Sequence, residues 1–249
     1  MLVDTHCHIY KEYYENIDNV LFEIKKNGVD KIINNGCDFK TSLEVLELSK
    51  KYNNMFCAIG IHPDEIHDNF DNFEKLFLSN LENKKLVAIG EIGLDYFHNK
   101  ENKDEQIKLL ENQLSLAQKY DYPVIIHSRE STGDMISILK KYNVRGVIHC
   151  FNGSVETANE YIKMGYKLGI NGVVTFKNCK LIDVIRVIGV NNLVFETDSP
   201  YLTPEPNRGK INYPYYVKDV VKFVGDNLNI SYNDLVKISN NNVKDIFDI

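Results

Sequence analysis

The chain has 249 residues, 43% hydrophobic and 26% charged, with a formal net charge of -6. Those values are typical of a soluble globular protein. The negative charge argues against a broad electrostatic clamp on DNA, which needs cationic groups opposite the phosphates, although cations bound at a site could supply that charge. No run approaches the ~18 apolar residues of a membrane span, so we expect no membrane association. No Gly/Ser-rich or Pro-rich linker interrupts the sequence, which predicts a single domain over residues 1–249.

The cysteines and the N-terminal residues indicate the cellular location of the protein. The five cysteines are an odd number without CxxC spacing, which disfavours a disulfide framework. The N-terminus lacks a basic region followed by an apolar stretch, so we expect no secretory signal. A reducing cytoplasm is the expected location.

Short apolar, β-branched segments recur along the chain and alternate with amphipathic stretches of helical length. The first such stretch, residues 17–28, has an apolar stripe and ends at Gly28, and two further helices are predicted at residues 215–227 and 232–247, with Ser231 as the N-cap of the second. The strand segments are residues 2–4, 31–34, 55–60, 86–91, 123–127, 146–149, 167–170 and 193–196.

Strands that alternate with helices predict parallel βαβ units. Eight strands in about 250 residues are typical of a (β/α)8 TIM barrel, an α/β fold. A doubly wound open sheet is the alternative. The glycine-rich phosphate-binding fingerprint of that fold does not follow the first strand, which disfavours it.

Metal-ligating residue types stand at the downstream ends of five predicted strands. The barrel fold brings such ends together on one face, where its active sites lie. The sequence therefore predicts that six side chains meet there: His6, His8, Glu91, His127, His149 and Asp198.

The first strand carries two of these histidines in the segment MLVDTHCHIY. Side chains two apart on a strand share a face, so Asp4, His6 and His8 point together and Cys7 points away, into packing. Asp4, Glu196 and Asp95 are buried carboxylates that either orient a ligand imidazole or form ordinary buried hydrogen bonds.

Four histidines and two carboxylates exceed the needs of one tetrahedral ion. Two ions that share a carboxylate would use the set economically. Glu91 is the natural bridge between an ion at His6 and His8 and another at His127 and His149. Nitrogen-rich ligation favours Zn²⁺, Mn²⁺, Co²⁺ or Ni²⁺, and Mg²⁺ suits a more exposed position.

Several motifs resemble a known family, the TatD-type metal-dependent deoxyribonucleases of the amidohydrolase superfamily. GEIGLDY together with ETDSPYLTP is the most specific pair. One departure is Tyr213, where the family usually has an acidic residue. The matching motifs are DTHCH (residues 4–8), GIHP (60–63), GEIGLDY (90–96), PVIIHSRE (123–130), HCFNG (149–153), ETDSPYLTP (196–204) and NRG with a following Asn and Pro (207–214).

The resemblance implies a TIM-barrel hydrolase that cleaves DNA phosphodiester bonds, often as a 3′–5′ exonuclease. It implies two divalent metal ions, Zn, Mg or Mn, held by the same six ligands that the strand ends predict. It also implies a DNA substrate, single-stranded or at 3′ ends, and we expect no obligate protein partner.

The predicted catalytic residues are Asp198, Glu91 and His62. Asp198 would accept a proton from the attacking water. His62 would contact the scissile phosphate or protonate the leaving oxygen, although a histidine before proline can also serve only a loop turn. Arg129 and Arg208 are predicted phosphate contacts, because a guanidinium fork suits phosphate oxygens. A salt bridge of Arg129 to Glu130 or Asp95 is the alternative.

Two other functions fit the same residues. A metal-dependent amide, ester or lactone hydrolase would use the same binuclear site to attack a carbonyl. Many such relatives bridge their ions with a modified lysine on the fourth strand, whereas this chain has Glu91 there. A non-enzymatic barrel would hold metal only for stability or for partner binding.

Overall fold

The computed structural model describes residues 2–249, and eight strands lie within that range. Every predicted strand is present, although β1 and β4 run several residues further than the apolar patterns indicated. The strands are β1 (Leu2–Cys7), β2 (Val29–Asn35), β3 (Met55–Ile59), β4 (Leu86–Asp95), β5 (Val124–Arg129), β6 (Gly146–Ile148), β7 (Lys167–Ile170) and β8 (Leu193–Phe195).

Helices connect the strands and close the chain, with local signals at their ends. The α1 helix begins after Asn16, whose side chain accepts a hydrogen bond from the Asn19 amide, and Gly28 follows its end with a φ of 79°. Ser231 caps α9 as predicted. The helices are α1 (Ile17–Lys26), α2 (Phe39–Lys51), α3 (Phe70–Leu78), α4 (Lys103–Tyr120), α5 (Thr132–Leu139), α6 (Val155–Lys163), α7 (Leu181–Ile188), α8 (Val217–Leu228) and α9 (Tyr232–Phe247).

The eight described strands form one sheet in chain order, from β1 to β8. A parallel bridge between Cys7 and Ser199 joins β1 to the segment after β8. This order is that of a (β/α)8 barrel, which confirms the predicted fold class and excludes the open doubly wound sheet.

Residue contacts divide the described chain into two compact units. The terminal unit comprises residues 2–34 and 150–249, and it contains the parallel pairs β1–β2 and β7–β8. The central unit comprises residues 35–149 and contains the pairs β3–β4, β4–β5 and β5–β6. The expectation of one domain stays a prediction.

Strands β1 and β4 are buried at every position. Parallel strands covered on both faces normally consist of apolar residues. These two strands instead bury polar groups near their carboxyl ends, namely His6 in β1 and Glu91 and Asp95 in β4. Buried charged or polar groups need partners, and their partners define the candidate site.

Within residues 2–249, no helix is both long enough and apolar enough to cross a membrane.

Candidate metal centre

The terminal unit holds a cluster of His6, His8 and Asp198, called here the terminal cluster. His6 lies on β1 and His8 directly follows it, and their Nε2 atoms lie 3.0 Å apart because residues two apart along extended backbone share a face. The Asp198 Oδ1 atom lies 3.3 Å from His8 Nε2 and 3.7 Å from His6 Nε2. Three ligand atoms thus converge on one point.

Neighbouring groups fix the orientation of these side chains. The Nδ1 atom of His8 lies 3.0 Å from the Tyr10 hydroxyl, which leaves Nε2 turned toward Asp198. The Asp198 amide donates to the His6 carbonyl at 2.9 Å, and Asp198 adopts a left-handed φ of 58°. Aspartate tolerates that conformation better than most residues, and such backbone geometry concentrates at functional positions.

Asp4 shares the face of His6 and His8 but does not bond an imidazole. Its Oδ1 accepts from the amides of His6 (3.2 Å) and Thr197 (2.9 Å), and its Oδ2 accepts from the Thr197 hydroxyl at 2.6 Å. Burial raises the pKa of the Asp4 carboxyl. Asp4 therefore ties β1 to the segment that carries Asp198. Cys7 packs on the other face, where its Sγ donates to the Ile33 carbonyl.

The central unit holds a second group, called here the central cluster: His62, Glu91, His127 and His149. The Glu91 Oε1 atom lies 2.8 Å from His127 Nδ1, 3.7 Å from His62 Nε2 and 3.8 Å from His149 Nε2. The rings of His127 and His149 are nearly parallel, with centroids 6.4 Å apart. One carboxylate oxygen thus serves as the common neighbour of three imidazoles.

Asp95 holds His127 from the opposite side of the ring. Its Oδ2 lies 3.1 Å from His127 Nε2 and 2.9 Å from His98 Nδ1, and its Oδ1 accepts from the amides of Phe97 and His98. Burial opposes the charge on Asp95, but the hydrogen bonds from His127 and His98 outweigh it and lower its pKa. Asp95 is thus a fixed acceptor for His127 Nε2–H.

His127 is poised between two carboxylates. Burial disfavours its charged form, but hydrogen bonds with Asp95 and Glu91 prevail and raise its pKa to about 9. With Nε2–H held by Asp95, the nitrogen that faces Glu91 is Nδ1. Carboxylate–histidine pairs of this kind orient metal-ligating imidazoles.

His62 follows β3 and is the loop residue of the central cluster. Its Nδ1 accepts a hydrogen bond from the Asp64 amide at 3.2 Å, so its proton sits on Nε2, the atom that faces Glu91. Its ring packs edge-on against His127 with centroids 4.5 Å apart. His62 is 14% exposed and remains within reach of a substrate.

Two glycines lie so close to neighbouring groups that a side chain would collide with them. A Cβ atom on Gly93 would lie 1.9 Å from the His127 carbonyl oxygen, which explains the second glycine of GEIGLDY. A Cβ on Gly169 would lie 2.3 Å from Glu196 Oε2. Glu196 is fully buried, and its Oε1 accepts from the Cys150 amide at 2.7 Å. A side chain at Gly93 would collide with backbone, whereas one at Gly169 would displace the Glu196 carboxylate.

The two predicted phosphate-binding arginines are exposed and stack on aromatic rings. The Arg129 guanidinium lies 3.9 Å from the centroid of Phe97, and that of Arg208 lies 3.8 Å from the centroid of Phe176. Among residues 2–249 neither arginine forms an ion pair with a carboxylate, so the alternative salt bridge of Arg129 is absent there. Stacking fixes each guanidinium plane and leaves its N–H groups available.

Two residues that contact the clusters were not identified from the sequence. Cys37 Sγ lies 4.0 Å from Glu91 Oε2, and Tyr10 contacts His8. Cys37 stands two residues beyond the end of β2, and that position was the signal that could have found it. Tyr10 continues the alternation of residues 6 and 8, so the same period of two could have identified it.

The donor sets fit divalent metal ions. The ligand atoms of His6, His8 and Asp198 all lie within 4.8 Å of one another. In the central cluster, the Glu91 Oε1 atom lies 2.8 Å from His127 Nδ1 and 3.8 Å from His149 Nε2. Imidazole nitrogens with one carboxylate oxygen are a typical environment for Zn²⁺ or another transition-metal ion.

Comparison with known proteins identifies the relatives of this chain. The family described as TatD related DNase matches residues 3–248. The chain belongs to the TatD family. YabD of Bacillus subtilis, described as an uncharacterized metal-dependent hydrolase, is 38% identical to it over the full length of both chains.

Solved structures agree with this TatD assignment. YjjV, a TatD homolog from Escherichia coli, is 30% identical, with a TM-score of 0.93 over 100% of this chain and 98% of that one. A TatD family hydrolase from Entamoeba histolytica is 26% identical, with a TM-score of 0.87 over 99% and 97% of the two chains. The chain is therefore a metal-dependent hydrolase of the TatD family with a (β/α)8 barrel fold.

Proposed function

We propose that this TatD family hydrolase cleaves DNA phosphodiester bonds, as a 3′–5′ exonuclease that acts on single strands or 3′ ends. The observation that carries the proposal is the convergence of His6 Nε2, His8 Nε2 and Asp198 Oδ1, with separations of 3.0–3.7 Å. The description of the matching family as TatD related DNase supports DNA as the substrate.

We propose a binuclear centre, with Glu91 as the carboxylate shared by an ion at His6 and His8 and an ion at His127 and His149. Two features support it. The carboxyl ends of the strands meet on one face of a (β/α)8 barrel, and Glu91 lies within 3.8 Å of its histidine neighbours. Bound Zn²⁺, Mn²⁺ or Mg²⁺ would neutralise phosphate charge and lower the pKa of a water molecule.

Asp198 is the proposed general base. Its backbone is fixed to β1 through the His6 carbonyl, and its side chain is 14% exposed, so a water molecule can reach it. A carboxylate fixed beside the attacking water accepts the proton as the bond to phosphorus forms.

His62 is the proposed donor to the substrate. Because Nδ1 accepts from the Asp64 amide, Nε2 carries the proton and can donate it to the phosphate or to the leaving oxygen. Arg129 and Arg208 would bind phosphates through guanidinium groups held flat on Phe97 and Phe176.

The test is a cleavage time course on end-labelled single-stranded DNA. The protein is first treated with a chelator and then supplied with Zn²⁺, Mn²⁺ or Mg²⁺ in separate reactions. We expect a folded, inactive apoprotein that recovers stepwise removal of nucleotides from the 3′ end. Duplex DNA and RNA in parallel reactions report strand and sugar preference.

Parallel reactions with a dipeptide, an ester and a lactone test the competing hydrolase. Hydrolysis of any of these with no cleavage of nucleic acid would replace the phosphodiesterase proposal by the carbonyl hydrolase.

Metal analysis of Glu91→Gln tests whether Glu91 is the carboxylate shared by two metal ions. We expect fewer ions per chain than in the wild type, whereas Glu111→Gln, a surface change in the same unit, should leave metal content unchanged.

A further inference from the structure

Three tyrosines lie beside the terminal cluster. Tyr10 contacts His8 through its hydroxyl, and its ring is tilted against that of Tyr13 with centroids 5.4 Å apart. Tyr201 meets Tyr13 edge-on at 5.9 Å and His8 edge-on at 6.2 Å. The aromatic group thus adjoins the proposed reaction site directly.

Two of these rings face solvent although they are held in place. Tyr13 is 36% exposed and Tyr201 is 49% exposed, whereas Tyr10 is buried. The hydroxyls of Tyr13 and Tyr201 lie 2.8 Å apart, and the Tyr201 amide donates to the Asp198 carbonyl at 2.8 Å. The rings are thus pre-positioned, so little conformational entropy is lost when a ligand covers them.

The neighbouring Tyr14 shows how a tyrosine in a structural role differs. Tyr14 is buried, and its hydroxyl donates to the Asn212 carbonyl at 2.8 Å. Tyr13, the preceding residue, instead presents its ring to solvent and its hydroxyl to Tyr201. Exposed aromatic surface that is held rigid beside a reaction site is suited to stack on a flat ligand.

We propose that Tyr13 and Tyr201 form a stacking platform for the nucleobase adjacent to the scissile phosphodiester. The inference rests on the proposed phosphodiesterase function and adds a binding site for the base. Every base has a π-face, so a tyrosine platform binds single-stranded substrate without reading its sequence. Base recognition by stacking also suits a chain with a net charge of -6, because it needs no cationic surface.

The first test compares two single-stranded oligonucleotides, one with normal bases and one with abasic residues at its last two 3′ positions. For Tyr201→Ala and Tyr13→Ala we expect KM on the base-bearing oligonucleotide to rise roughly 5- to 100-fold, because stacking on an aromatic side chain contributes that much per base. On the abasic oligonucleotide, kcat/KM should stay within about twofold of the wild type, since no base is present to stack.

Two kinds of variant serve as controls. Tyr201→Phe and Tyr13→Phe keep the ring and should keep the preference for base-bearing DNA. Tyr232→Ala removes a tyrosine of similar exposure, 39%, at the start of α9 and should change neither substrate. Circular dichroism and thermal melts show whether the alanine variants fold, and Tyr13→Leu and Tyr201→Leu, which keep apolar bulk without a flat ring, replace them if they do not.

A second measurement separates binding from cleavage. The chain contains no tryptophan, so the fluorescence of an oligonucleotide with 2-aminopurine at its 3′ end reports stacking without protein background. We expect the wild type to quench it and Tyr201→Ala to lose the quench. Equal losses on base-bearing and abasic substrates, or quenching that survives both alanine variants, would overturn the platform. Quenching without cleavage of any nucleic acid would support the platform and overturn the phosphodiesterase proposal.

Discussion

The terminal and central clusters bring similar side chains together by different means. In the terminal cluster, His6 lies on β1 and His8 directly follows it, and their Nε2 atoms meet because side chains repeat every two residues along extended backbone. In the central cluster, Glu91 and His127 lie on β4 and β5 and His149 directly follows β6, and only strand pairing places them together. The histidine pair of the terminal cluster is thus local in the sequence, whereas Asp198 and the whole central cluster depend on tertiary structure.

The surroundings of the two clusters differ in a related way. In the terminal cluster the buried carboxylate Asp4 bonds backbone amides and the Thr197 hydroxyl, and so it holds strands together. In the central cluster the buried carboxylate Asp95 bonds an imidazole of the cluster itself. Two carboxylates with the same sequence signature, an acid near a strand end, therefore have different tasks.

The largest expected effect is the loss of turnover when Asp198, the proposed general base of the terminal cluster, is replaced. Asp198→Asn should lower kcat roughly 10²- to 10⁴-fold, because the amide cannot accept the proton of the attacking water. Circular dichroism should show an unchanged fold, and metal analysis shows whether the Asn side-chain oxygen still holds the ion, which separates loss of the base from loss of metal. Asp226→Asn, at an exposed ion pair of α8, is the matched control. Near wild-type turnover with unchanged metal content would remove Asp198 from the role of base.

The next effect is on metal affinity, through the hydrogen bond of Asp95 with His127. Asp95→Asn should weaken metal binding at the central cluster about 10- to 100-fold, since a carboxylate that orients a ligand imidazole contributes in that range. A Co²⁺ titration of the apoprotein followed by absorbance measures this independently of turnover. Asp4→Asn should leave Co²⁺ affinity within about twofold and lower only the melting temperature. Equal losses of affinity in the two variants would contradict the division of tasks between Asp4 and Asp95.

A smaller effect is expected on stability, at one closely packed glycine in each unit. Gly93→Ala should lower the free energy of unfolding by about 1–3 kcal/mol or more, because its Cβ would collide with a carbonyl of the neighbouring strand. Gly169→Ala should lower the free energy of unfolding by less, because the Glu196 carboxylate is the end of a side chain and can shift.

Denaturant titrations measure both values. Gly133→Ala is the control, because that helical position is open and alanine there should stabilise by about 0.5–1 kcal/mol. A Gly93 variant as stable as the control would show that β4 and β5 can separate.

The smallest effect concerns the stacked arginines, one in each unit. Arg129→Ala and Arg208→Ala should each raise KM for single-stranded DNA a fewfold and reduce the slope of log KM against log salt by about 0.7, the value for one lost phosphate contact. Arg145→Ala removes an arginine that pairs with Asp121 and should leave the slope unchanged. An unchanged slope in both test variants would show that neither guanidinium contacts phosphate.

Much of the molecule follows from the sequence. The eight strands, the closing helices and the cap at Ser231 are visible as apolar periods and terminal residue types. The pairing of His6 with His8 follows from the strand period alone. The strand-end argument also named Glu91, His127 and His149, because barrels gather strand ends on one face.

Other features arise only when the chain folds. Arg129 could have paired with Glu130 or Asp95, but its guanidinium lies on Phe97. His62 caps the following turn through Nδ1, and its Nε2 also faces Glu91. Several partners compete within reach of a long or rotatable side chain, and a linear pattern does not rank them.

The sequence by itself determined which residues of this TatD hydrolase stand at the strand ends and which of them share a face. Tertiary structure decided which atoms they present. His127 offers Nδ1 to Glu91 because Asp95 holds Nε2, and Asp4 serves the backbone because Thr197 lies closest to it. The physical reason is that strand period and burial act over a few residues, whereas hydrogen-bond partners are chosen among groups that only folding brings together.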